Sequence, residues 1–185
     1  MDLEKFFNNQ SVGAFLGAFA AFLLVVMNDW RRERRKVKTI QAEFQVCLAH
    51  TAAKLETVRR ARTLAREHNG VSPAPVMPFN TAIVRQLTAE AIDRLSLEQR
   101  RAIDGLCYRM EATDGVLHEI YQTALRLSGA MGQADRLTAA QRLLIDLEDA
   151  IVNLKVLELM LTNYVASKFA EVVNTQYDRT RFEEP

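Results

Sequence analysis

Residues Val12 to Met27 run without a single charge, and Trp30-Arg31-Arg32-Glu33-Arg34-Arg35-Lys36-Val37-Lys38 follows almost at once. An apolar run with a basic block at one end is expected of a membrane-spanning helix and its headgroup contacts. The run is shorter than the roughly 20 residues a span usually needs. At about 1.5 Å per residue it covers roughly 24 Å. Extending it from Asn9 to Trp30 supplies the missing length and places Phe6, Phe7 and Trp30 as interfacial anchors. Nine strong inserters (Val12, Phe15, Leu16, Phe19, Phe22, Leu23, Leu24, Val25 and Val26) together favour insertion by about 3–5 kcal/mol.

Three other readings compete for the same run. A cleaved signal peptide carries its positive charge before the apolar stretch, whereas here Met1-Asp2-Leu3-Glu4-Lys5 precedes it and the basic block follows. An in-plane amphipathic helix needs a polar face, and none is present. A buried helix of a soluble core can be as apolar and is the strongest of the three. The basic flank favours the span. Lys5 is the lone cation before it, against six from 31 to 38, so the positive-inside rule sends the amino-terminal flank outside and everything from Arg31 onward into the cytoplasm of a cell with an inner membrane. Arg31, Arg32, Arg34, Arg35, Lys36 and Lys38 form a collar expected to bind anionic headgroups, at about 1 kcal/mol per residue.

Charge is concentrated at that collar. Residues 1–30 carry −2 and 31–38 carry +5, leaving −2 on residues 39–185 of a chain whose total is +1. A near-neutral body lacks the broad basic surface of a nucleic-acid binder, so nucleic acid is not an expected partner. Cys47 and Cys107 stand alone, without a Cys-x-x-Cys partner, and read as reduced, buried thiols.

Only seven glycines and four prolines occur, and three prolines crowd the segment Asn69-Gly70-Val71-Ser72-Pro73-Ala74-Pro75-Val76-Met77-Pro78. Before it, Val37, Ile40, Phe44, Cys47, Thr51, Leu55, Val58, Ala61 and Ala65 recur at threes and fours, the signature of a long amphipathic helix that continues the span. After it, Ile83, Val84, Leu87 and Ile92 mark a shorter helix. Ser96-Leu97-Glu98-Gln99 is a capping box opening a helix to about Leu127, in which Gly105 and Gly115 weaken the helix or admit a close neighbour. Thr138-Ala139-Ala140-Gln141 repeats the signal and predicts a last helix from about Ala139 to Thr175, with Leu143, Leu147, Ala150, Leu154, Leu157, Leu161 and Tyr164 on its stripe.

The expected fold is all-α: a single transmembrane helix leading into a cytoplasmic antiparallel helical bundle. The segments are 1–30 with the span, 31–68 with the collar and long helix, a proline-rich loop at 69–80, the rest of the bundle at 81–177, and a loose tail at 178–185. Repeats of threes and fours fit intramolecular packing and coiled-coil oligomer seams equally well.

Within the span, Gly13, Gly17 and Ala21 form a small-residue stripe, which lets helices approach closely in lipid. Asn8, Asn9, Gln10, Ser11 and Asn28 supply polarity at its ends, as caps or as the mouths of an assembled pore. Chemistry has little to stand on. Asp114 and His118 share a helix face with Glu111 a turn earlier, which reads more simply as a solvated face than as a metal site. No cofactor motif or phosphate loop is present, and no enzyme is expected.

Arg62-Thr63-Leu64-Ala65-Arg66-Glu67-His68 resembles the Arg-x(4–6)-His signature of HEPN-type ribonucleases, small helical domains. That resemblance implies Arg62 and His68 as catalytic candidates on an RNA phosphate. The match departs from the family in placing the motif at the end of the first long cytoplasmic helix, and a cationic helix terminus accounts for the same residues. In its whole layout the chain resembles single-span helical accessory or effector proteins of prokaryotic RNA-targeting CRISPR systems, some with degenerate HEPN motifs. That likeness implies a membrane-active role in antiviral defence. The leading expectation is a homo-oligomer that perturbs or permeabilises the membrane; the alternative is a tethered adaptor for a cytoplasmic protein partner, and the second alternative a tethered ribonuclease.

Overall fold

A computed structural model describes residues 10–68, 76–129 and 132–166. Phe6 and Phe7, residues 69–75 of the proline-rich break, and everything beyond Ala166, including the 178–185 tail, lie outside the described residues. Every regular element among the described residues is helical. α1 spans Gln10–His68, α2 Thr81–Glu90, α3 Leu97–Ser128 and α4 Gln133–Ala166, with a 3₁₀ turn at Ile92–Arg94 between α2 and α3.

The apolar run and the amphipathic stretch after it form one uninterrupted helix of 59 residues, about 88 Å long at 1.5 Å per residue. Its two halves behave differently. Residues 13–32 are exposed throughout, whereas Ile40, Phe44, Cys47, Thr51, Leu55, Val58 and Ala65 are buried, at the spacing of threes and fours read from the sequence. Val37 and Ala61 complete that stripe as half-buried contacts.

The buried residues fall into two clusters. Ile40, Phe44 and Cys47 meet Ile103, Leu106 and Met110 of α3 and Leu157, Leu161 and Tyr164 of α4 in the first. Leu55, Val58 and Ala65 meet Leu117, Ile120, Ala124, Leu143, Leu147 and Leu154 in the second. Residue number rises along α1 and α3 and falls along α4 from the first cluster to the second. The Phe44 and Tyr164 rings, 5.0 Å apart and edge-on, and the Arg66 Nη2–Glu148 Oε1 pair at 2.8 Å fix the same opposed direction for α1 and α4. Large aliphatic and aromatic side chains of this kind each contribute about 1.5–3 kcal/mol when fully buried. Two hydroxyls share this interior at little cost, because Thr51 and Thr113 donate to the carbonyls of Cys47 and Arg109, each at 2.8 Å.

Helix starts test the capping signals separately. Ser96 caps α3 as expected: its Oγ accepts from Gln99 N at 3.1 Å, and Gln99 Oε1 accepts from Ser96 N at 2.9 Å. The last helix differs from expectation, for it begins at Gln133 and holds Thr138 inside. Asp135 in its first turn suits the positive helix terminus, and Arg136 Nη2 donates to Gly129 O at 3.0 Å, fastening the turn between α3 and α4. Ile83 and Ile92 also depart from the expected apolar stripe and are exposed, leaving Val84 as the buried residue of α2. At Gly105 and Gly115 a Cβ would meet nothing within 4 Å, so neither marks a close helix approach.

Candidate functional site

α1 is long and apolar enough to cross a membrane by length and composition, with a mean hydropathy of 1.6 over an 18-residue window of Gly13–Glu67, none of it buried against the rest of the described chain. Apolar surface left in water is unfavourable at about 25 cal/mol per Å². Phe15 and Phe19 stack with ring centroids 6.4 Å apart and planes within 8°. Gly13 and Gly17 face open space, and with Ala21 they recur every four residues, which puts them on one side of α1.

Where the apolar half ends, the collar begins. Arg31, Arg32, Arg34, Arg35 and Lys38 are exposed. Lys36 is different: its Nζ lies 3.0 Å from Glu33 Oε1 and donates to Glu90 O at 3.1 Å, binding the last carbonyl of α2 to the root of the collar. Cations favour helix carboxyl termini, so this collar residue holds the folded body to α1. One turn further along the chain, Arg94 reaches the same region. Trp30, Arg34, Val37, Lys38 and Arg94, with Glu33, line an open groove of about 420 Å³. The Arg34 guanidinium carbon sits 3.6 Å from the centre of the Trp30 ring, a cation–π contact.

The candidate catalytic pair lies in the last two turns of α1. Arg62 is half-buried near the end of α1, and His68 is the last residue of that helix, its side chain outside the described residues. Six positions apart on one α-helix, the two stand about 120° apart around the axis. Asp114 is committed elsewhere: Oδ1 lies 2.6 Å from Lys54 Nζ and Oδ2 accepts from Phe79 N at 2.6 Å, while His118 is exposed. Among the described residues no three His, Cys, Asp or Glu side chains are grouped to hold a metal ion. Both thiols are buried. Desolvation foremost pushes Cys47 up to about 11 and Cys107 to about 12, which keeps them protonated and poorly nucleophilic.

Two residues that matter here drew no attention in sequence. Lys54 lies on the buried stripe of α1 between Thr51 and Leu55, and a lysine in an apolar register is a signal that a buried partner exists. Arg94 carries no such signal, because only the tertiary fold brings it to the groove that Trp30 lines. Comparison with protein-family models, curated proteins and solved structures finds no match to this chain.

Proposed function

We propose that this chain is a single-pass inner-membrane protein whose span self-associates through Gly13, Gly17 and Ala21, with its antiparallel helical bundle in the cytoplasm, and that the assembled spans perturb or permeabilise the bilayer. The observation that carries the reading is the wholly exposed apolar half of α1, ending at an exposed basic collar. Lipid gives two apolar helices no hydrophobic reason to associate, so close packing over small residues becomes the drive. Among the described residues a Cβ added at Gly13 or Gly17 meets nothing within 4 Å and Ala21 is exposed, which leaves the stripe open to a second copy. The apolar stripes of α1, α3 and α4 in the body pack against one another, which leaves the span as the longest exposed apolar surface. A role in antiviral defence belongs to the same proposal and rests on likeness of layout alone.

The experiment is the mass of the detergent-solubilised protein, wild type beside Gly13→Ile/Gly17→Ile, after alkaline carbonate washing of membranes. Retention in the washed membrane and an oligomer that the double variant dissociates are expected. Wild-type protein that is monomeric in mild detergent overturns the assembly. The second reading, a tethered adaptor for a cytoplasmic protein, is favoured by one feature of the body. An open groove of about 500 Å³ runs between α1 and α4, with Leu55 and Leu159 among its lining and Arg59, Lys155, Glu56 and Glu158 around them. Retained function after exchange of the span for an unrelated one would select this second reading.

A further inference from the structure

We infer that the groove at the root of the collar is a binding site for the phosphodiester headgroup of an anionic phospholipid, completed by Arg94 from the folded body. This rests on the membrane reading above and gives the collar a defined ligand. Trp30, Arg34 and Lys38 recur every four residues and share one side of α1. Arg94 closes that side from the 3₁₀ turn, so three cations face one cleft from two elements. Glu33, the one carboxylate in the lining, is neutralised by Lys36 at 3.0 Å. The cleft therefore favours an anion.

Its shape favours a headgroup over a bare ion. About 420 Å³ lies within the roughly 300–1,000 Å³ of organic-ligand clefts, and Trp30 and Val37 give it apolar walls beside the cations. Tryptophan prefers the boundary between headgroups and chains, and the wholly exposed apolar helix ends at this residue. Guanidinium groups match phosphate oxygens in pairs, and Arg34 is already oriented by the Trp30 ring. Lys36, bonded to Glu90 O, holds α2 and the turn after it to this part of α1. A bound headgroup then pins the helical body to the leaflet surface, where a diffuse basic collar would leave it free to swing.

Trp30 is the chain's single tryptophan, so its emission reports the site directly. Full-length protein in mild-detergent micelles is titrated with dioctanoyl phosphatidylglycerol and, separately, with dioctanoyl phosphatidylcholine. A saturable emission change with the anionic lipid and little with the zwitterionic one is expected. Arg94→Gln and Lys38→Gln each weaken the midpoint by about fivefold. Arg94→Lys, which keeps the charge and loses the paired donors, weakens binding less than Arg94→Gln, and Arg35→Gln, a collar residue outside the groove, costs clearly less. Unchanged thermal melting of the variants separates lost binding from lost folding. Equal weakening by Arg35→Gln, Lys38→Gln and Arg94→Gln means a diffuse collar and overturns the site, with the membrane reading intact. Inorganic phosphate or glycerophosphate competing at the lipid's own concentration overturns the lipid as source of the phosphate. Release of the protein by carbonate overturns the membrane reading itself.

Discussion

Lys54 Nζ lies 2.6 Å from Asp114 Oδ1, at the level where the two apolar clusters of the body meet. On α1 the first cluster ends at Cys47 and Leu48 and the second begins at Leu55; on α3 the boundary falls between Met110 and Val116. The ammonium also lies 4.0 Å from the centre of the Phe79 ring, and the carboxylate holds Phe79 N at 2.6 Å. One ion pair thereby joins α1, α3 and the segment leading into α2.

Removing half of a buried pair leaves the other charge uncompensated, which costs more than the pair itself contributes. Asp114→Ala is expected to destabilise the body by about 2–4 kcal/mol, since both Lys54 and Phe79 N lose their acceptor. Lys54→Met/Asp114→Leu should recover much of that loss. Chemical denaturation in mild detergent measures both; an Asp114→Ala variant within about 0.5 kcal/mol of wild type would show that the pair bears no such strain.

Gly115 offers the opposite sign. It sits inside α3, and an added Cβ meets nothing within 4 Å. Gly115→Ala should therefore stabilise by about 0.5–1 kcal/mol through the lost backbone freedom of the unfolded chain. The same holds for Gly105→Ala. A drop in denaturation midpoint for either would mean that something approaches these positions, such as a second copy.

The α3 cap can be tested alone. Ser96→Ala removes the acceptor for Gln99 N and loosens the reciprocal bond from Ser96 N to Gln99 Oε1. A loss of about 1 kcal/mol is expected, with Ser96→Asp restoring most of it. Similar melting curves for all three proteins would remove the capping box as a source of stability.

Cysteine protection carries a pH signature. Burial holds Cys47 up to about 11 and Cys107 to about 12, against 9.0 for an ordinary thiol. Both folded values are raised, so the stability these thiols contribute is full below about pH 9 and is lost as pH climbs toward 11 and 12. The stability gap between wild type and Cys107→Ala should then narrow from pH 8 to pH 11. At pH 8, iodoacetamide should label the folded protein far more slowly than the urea-denatured one. A gap that stays constant with pH would mean that the thiols hold ordinary values in the fold.

Much of the helical layout was legible because its causes are local. The stripe from Ile40 to Ala65 and the one from Leu143 to Tyr164 repeat within a turn, and a helix buries one side whatever it meets. Ser96 and Gln99 cap a helix through atoms three residues apart. Thr138 shows the limit of such signals: the same motif failed as a start because Asp135 and the Arg136–Gly129 bond favour an earlier one. Ile83 and Ile92 fit a stripe in sequence, yet α2 is only ten residues long and buries Val84 instead.

The sequence by itself determined the charge-free run, the collar that follows it and the all-helical character, since insertion energy, charge and periodicity are properties of neighbouring residues. Tertiary structure alone decided that Asp114 partners Lys54 and not His118, and that Arg94 joins Trp30, Arg34 and Lys38 around one groove. Those contacts join residues far apart in the chain. Their existence depends on how the helices slide and rotate against one another, which the packing of the whole core sets.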